Sequence, residues 1–108
     1  MSLTEVAKVG DIPLGTMRSY HSGDKDILIS NIGGKYYAIP SVCTHAGGDL
    51  SRGVLEGKIV TCPRHGARFD VTSGECLSGA RIAFLKLKTK STNSLEVKVD
   101  GNSLKVDM

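Results

Sequence analysis

Three cysteines in 108 residues are too few for the disulfide framework of a small secreted domain. Tryptophan is absent and the aromatics are limited to three Tyr and two Phe, so no stacking platform for nucleic-acid bases is available. The charge balance, 14 Lys+Arg against 11 Asp+Glu for a formal +3, is too mild for a phosphate-backbone partner, and no basic tract concentrates it. Nowhere do the about 18 consecutive apolar residues of a membrane-spanning helix occur. Residues 1–10 interleave apolar residues with Glu5 and Lys8 and contain no signal-peptide core. Together these absences predict one soluble cytoplasmic domain, residues 1–108, with neither nucleic acid nor membrane as a partner. The length allows a single hydrophobic core and not two.

The rhythm of the chain is that of short strands. Thr16 to His21 and Lys25 to Asn31 are β-like runs joined by Ser22-Gly23-Asp24. Asp26 to Ile32 and Lys35 to Pro40 flank Gly33-Gly34, a favourable hairpin turn because glycine tolerates positive φ. Lys58 to Thr61 forms a short apolar strand. Leu85, Leu87 and Thr89 alternate with Lys86, Lys88 and Lys90, and Leu95, Val97 and Val99 with Glu96, Lys98 and Asp100. After the turn Asp100-Gly101-Asn102, Leu104 and Val106 continue the pattern. No segment sustains a 3.6-residue period, so an all-β sandwich or barrel with little helix is expected.

What the chain does concentrate is metal-ligating chemistry. Cys43-Thr44-His45 and Cys62-Pro63-Arg64-His65 are two clips separated by sixteen residues, giving C-x-H-x16-C-x-x-H. Two thiolates and two imidazoles from two short loops suit a metal centre better than an acid–base or nucleophilic device. Zinc also accepts Cys2His2 sets, although its spacings usually group Cys with Cys and His with His. The third cysteine, Cys76, lies in a strand-like setting between Glu75 and Leu77 and reads as a buried packing residue in preference to a redox-active thiol. His21 reads as a surface histidine at a strand end.

The order Cys-His then Cys-His, followed by His65-Gly66-Ala67-Arg68-Phe69-Asp70 and Thr72-Ser73-Gly74-Glu75, resembles the soluble Rieske-type ferredoxins. That resemblance is specific over residues 43–75. It implies a Rieske-like β-sandwich or barrel with a small inserted cluster-binding lobe at about residues 41–79. It also implies one [2Fe–2S] cluster held by Cys43, His45, Cys62 and His65, with both cysteines on one iron and both histidines on the other. Such a centre is formally neutral when oxidised, whereas an all-cysteine centre carries two negative charges, and the less negative one accepts an electron more readily.

The departures from high-potential Rieske proteins bear on where this chain would fall. Those proteins brace their loops with a disulfide whose positions are here Gly48 and Arg64. They also place hydroxyls, donors to cluster or cysteine sulfur, where this chain has Ala67 and Phe69. Hydrogen bonds to sulfur favour the reduced state, and each one missing lowers the potential by roughly 50 mV. The expectation is the lower part of the Rieske range, near or below about −50 mV. The segment Leu77-Ser78-Gly79-Ala80-Arg81, which would cover the site, lacks the proline common there.

The implied function is a soluble, non-catalytic electron carrier between a flavin-dependent reductase and a terminal oxygenase or other redox partner, with Arg64 and Arg68 flanking the docking tip. The alternatives are a small Rieske subunit of a nitrite reductase-like complex and a zinc-stabilised interaction module. A catalytic oxygenase needs two further histidines and a carboxylate for its mononuclear iron, and only His21 remains once the clips are used.

Overall fold

A computed structural model describes residues 3–22, 25–42, 49–64, 66–79, 81–82, 85–86 and 91–107. Twelve strands are found among them: β1 Leu3–Lys8, β2 Met17–Ser22, β3 Lys25–Ile32, β4 Lys35–Pro40, β5 Val54–Glu56, β6 Ile59–Thr61, β7 Arg68–Asp70, β8 Cys76–Ser78, β9 Arg81–Ile82, β10 Leu85–Lys86, β11 Val97–Asp100 and β12 Ser103–Asp107. The only helical pieces among these residues are 3₁₀ turns at Val9–Asp11 and Leu50–Arg52. The strands form antiparallel sheets ordered β1-β12-β11, β2-β3-β4 and β5-β6-β7-β8, with the pair β9-β10 besides. The all-β expectation is met.

The Ile27-Leu28-Ile29 run explains the layering. Successive side chains on a strand point to opposite faces, so an unbroken apolar run serves a strand covered on both sides. Ile27 and Ile29, with Ala38 of β4, pack against Ala7, Ile12, Leu104 and Val106. Leu28, with Ile39 of β4, packs against Leu50, Val60, Cys62, Ala67, Phe69 and Val71. The β2-β3-β4 sheet is therefore a middle layer between two cores. One core belongs to the terminal sheet, the other to the four-stranded sheet that carries the second clip.

The sequence expectations hold for the hairpin around Gly33–Gly34, which joins Ile32 to Lys35. β2 begins and ends one residue later than expected, and β6 begins at Ile59. Four strands carried no adequate signal, namely β1, β5, β7 and β9. β5 and β7 are three residues long, too short to display a period, and pairing with β6 holds them. On β11 the alternation is real, but Val99 is 51% exposed because β11 is the edge of its sheet. The expected alternation at Leu87, Lys88, Thr89 and Lys90 lies outside the described residues, as do Gly23 and Asp24 of the β2–β3 turn.

Candidate metal centre

Both clips sit on stems that the described residues build completely. The first stem pairs Ser41-Val42 with Asp49-Leu50: Val42 and Asp49 form an antiparallel bridge, and the Leu50 N–H donates to the Ser41 carbonyl at 2.8 Å. Ser41 is itself anchored, its N–H donating to the Asp26 carbonyl at 3.0 Å and its hydroxyl lying 3.0 Å from that of Ser19. Beyond the stem, Asp49 caps the Leu50–Arg52 turn, its Oδ1 accepting from Ser51 N–H at 3.0 Å and from the Ser51 hydroxyl at 2.6 Å. Leu50 is wholly buried. Burying a leucine is worth about 1.5–3 kcal/mol, more than the single backbone bond that closes the turn, so Leu50 anchors this arm.

The second stem is the β6–β7 hairpin. Thr61 pairs with Arg68, the Cys62 N–H donates to the Ala67 carbonyl at 2.7 Å, and the Gly66 N–H donates back to the Cys62 carbonyl at 3.1 Å. Gly66 closes this turn at φ +74°, a left-handed conformation that costs a residue with a Cβ. Cys62 is 3% exposed and shares one apolar cluster with Leu50 of the first stem and with Val60, Ala67 and Phe69. The sequence-predicted ligands Cys43, His45 and His65 lie outside the described residues, as does Gly48. Among the described residues no three His, Cys, Asp or Glu side chains converge. What the structure brings together is Cys62 and the stems of both clips.

The donor set suits an iron–sulfur group. A cysteine almost removed from solvent, on a turn closed by the Cys62–Ala67 and Gly66–Cys62 backbone hydrogen bonds, presents a soft sulfur donor. Each stem leads into one cysteine and one histidine of the sequence, the mixed thiolate–imidazole composition of a Rieske centre. Ala67 and Phe69, both wholly buried beside Cys62, bring no hydroxyl to the site.

The strand on the far side of β7 lies along the same hairpin. Ser78 pairs with Arg68 and Cys76 with Phe69, and a bulge between them turns Leu77 outward to 46% exposure. Cys76 packs against the core as expected, but it is half-buried and not buried. Its N–H donates to the Ser91 hydroxyl at 2.9 Å and its thiol to the Ser78 carbonyl at 3.5 Å. Burial pushes that thiol's pKa up, against the smaller opposing effect of the Ser78 contact, which suits an inert thiol. Of the covering segment, Ala80 lies outside the described residues. His21 is exposed as expected, and strand register adds a partner that sequence reasoning missed, Asp26 Oδ1 at 2.7 Å from Nδ1.

Sequence reasoning also missed a polar brace behind the second clip. Asp70 Oδ1 accepts from Thr72 N–H at 2.8 Å and from the Thr72 hydroxyl at 2.6 Å, while Oδ2 lies 3.3 Å from Lys58 Nζ. Burial opposes ionisation of this carboxyl, but the Thr72 hydrogen bonds and the Lys58 ammonium prevail and hold its pKa below the usual value. The Asp-x-Thr and Asp-x-Ser spacings at Asp70 and Asp49 are the signals by which these caps were recognisable.

Residues 2–89 match the Rieske [2Fe-2S] domain family. Over 108 residues the chain is 35% identical to the ferredoxin component of biphenyl 2,3-dioxygenase from Rhodococcus jostii (strain RHA1), covering 100% of this chain and 94% of that protein. The ferredoxin of carbazole 1,9a-dioxygenase from Nocardioides aromaticivorans IC177 superposes with a TM-score of 0.81 at 25% identity, over 98% of this chain and 97% of that one. A chain in the complex of reduced oxygenase and oxidized ferredoxin of carbazole 1,9a-dioxygenase superposes with a TM-score of 0.79 at 28% identity, over 96% of this chain and 91% of that one.

Proposed function

The chain belongs to the Rieske [2Fe-2S] domain family, and from that premise we propose that it is the electron-carrying ferredoxin of a terminal oxygenase system, loaded by a flavin-dependent reductase in the cytoplasm. It is an electron carrier and not a catalytic subunit, like the ferredoxin components to which it is similar along its whole length. Cys43 and Cys62 would hold one iron of the cluster and His45 and His65 the other, within a lobe spanning about residues 41–79 of a single domain. When bound, the cluster supplies reversible one-electron chemistry at a potential above that of all-cysteine [2Fe–2S] centres.

The observation that carries this reading is the convergence of the two stems on one apolar cluster, Leu50 from the first and Cys62 and Ala67 from the second. The chain's own residues then have plain tasks. Leu50, Val60 and Phe69 exclude water from behind the second clip. The Cys62–Ala67 and Gly66–Cys62 hydrogen bonds hold the turn shut. Arg64 and Arg68, both exposed, give a partner with acidic groups a cationic surface beside that turn. No helix among the described residues is long and apolar enough to cross a membrane.

The test is an EPR spectrum of the purified protein after dithionite reduction. The expected result is the anisotropic, low-average-g signal of a mixed His/Cys [2Fe–2S] centre. A colourless, EPR-silent sample holding one zinc per chain overturns the electron-carrier reading.

A further inference from the structure

Gly53 lies where the arm leaving the first stem crosses the strand entering the second clip. A Cβ built on it would stand 1.9 Å from the Thr61 carbonyl oxygen, 3.0 Å from that carbonyl carbon and 3.2 Å from the Leu50 carbonyl oxygen. Its backbone, at φ −82° and ψ −163°, is extended and open to any residue. The glycine is therefore required by proximity and not by conformation. By contrast, Gly66 has a left-handed φ and nothing within 4 Å of its would-be Cβ.

From this we infer that Gly53 is a positioning residue: it sets the spacing between the two ligand-bearing stems, and through that spacing the geometry and potential of the cluster. The inference rests on the Rieske reading above. All three atoms facing Gly53 are backbone, so no side chain can rotate aside and the segments themselves must part. One segment continues directly from Asp49, which is bridged to Val42 at the base of the first clip loop. The other is Thr61, whose carbonyl belongs to the peptide that enters Cys62. Relieving a 1.9 Å contact requires a separation on the order of 1 Å. Metal–ligand distances hold to about 0.2 Å, so a displacement of that size at the stems exceeds what the bonds absorb unchanged. Packing at Leu50 fixes the same arm from inside, and the Gly53 contact fixes it from the β6 side.

The experiment compares holo wild type with Gly53→Ala and with Gly10→Ala, a control whose added Cβ meets nothing within 4 Å. Three readouts apply: EPR g-values after dithionite, midpoint potential, and the rate at which iron is lost to a chelator. The expected result is displaced g-values and a displaced potential in Gly53→Ala, with iron lost about 10-fold faster, and wild-type behaviour in Gly10→Ala. Should Gly53→Ala fail to fold, Asp49→Ala carries the test, since it loosens the same arm by removing an exposed cap without crowding it. Displaced g-values in that folded variant support the proposal. Wild-type g-values, potential and iron retention in folded Gly53→Ala, or in Asp49→Ala as its substitute, overturn it while leaving the ferredoxin reading standing. An EPR-silent wild type overturns both.

Discussion

The Cys62 N–H donates to the Ala67 carbonyl oxygen across 2.7 Å, closing the β6–β7 hairpin directly beneath the second clip. The bond makes Cys62, a proposed ligand, part of a sheet register and not of a loose loop. Cys62 and Ala67 are both buried in the cluster that also receives Leu50, so the hairpin and the first stem share their apolar floor.

The turn above that bond depends on Gly66. Its φ of +74° is costly for an L-residue, and nothing lies within 4 Å of an added Cβ, so backbone strain alone sets the cost. Gly66→Ala is expected to destabilise the protein by about 1–2 kcal/mol, read as a lowered urea midpoint with an unchanged slope.

Ala67 occupies a wholly buried position next to Cys62. Ala67→Ser adds a hydroxyl within the apolar cluster that holds Cys62, and a hydrogen bond from it to cluster or cysteine sulfur would stabilise the reduced state. Protein-film voltammetry should show the midpoint potential raised by about 50 mV. An unchanged potential in a fully loaded variant would contradict the expectation that missing hydroxyls lower the potential.

The two described cysteines should behave oppositely. Cys62→Ser is expected to purify with almost no iron and without the visible absorption of the cluster. Cys76→Ala should keep full iron content and an unaltered EPR spectrum while losing about 1 kcal/mol of stability, because the Cys76 side chain packs against the core and makes one thiol contact, to the Ser78 carbonyl. Iron loss in Cys76→Ala would assign it a role at the metal.

Asp70 supplies a pH dependence with a definite sign. Its folded pKa is lowered below 3.8, with burial outweighed by the Thr72 hydrogen bonds and Lys58. The stability it contributes is thus fully present above the unfolded pKa and is lost as pH falls through the folded one. Urea midpoints measured from about pH 5 down to about pH 2 should fall less steeply for Asp70→Asn than for wild type. Parallel curves would show that Asp70 is not the group responsible.

The Rieske family was legible in the primary structure because its motif depends on residue identity and spacing: Cys43, His45, Cys62 and His65, the expected ligands, are rare side chains at short intervals. The strand character of β3, β4 and β12 was equally open to view, since alternation and turn glycines are local signals. Other features depended on folding in three dimensions. The run Ile27-Leu28-Ile29 says that a strand is covered on both faces but not by what, and the two opposing cores supply that answer. β5 and β7 have too few residues to show a period and exist because β6 offers them a ladder. Gly53 is indistinguishable in the sequence from any loop glycine. Its importance arises only when the Leu50–Arg52 arm folds against the Thr61 carbonyl, because close approach is a property of two segments and not of either alone.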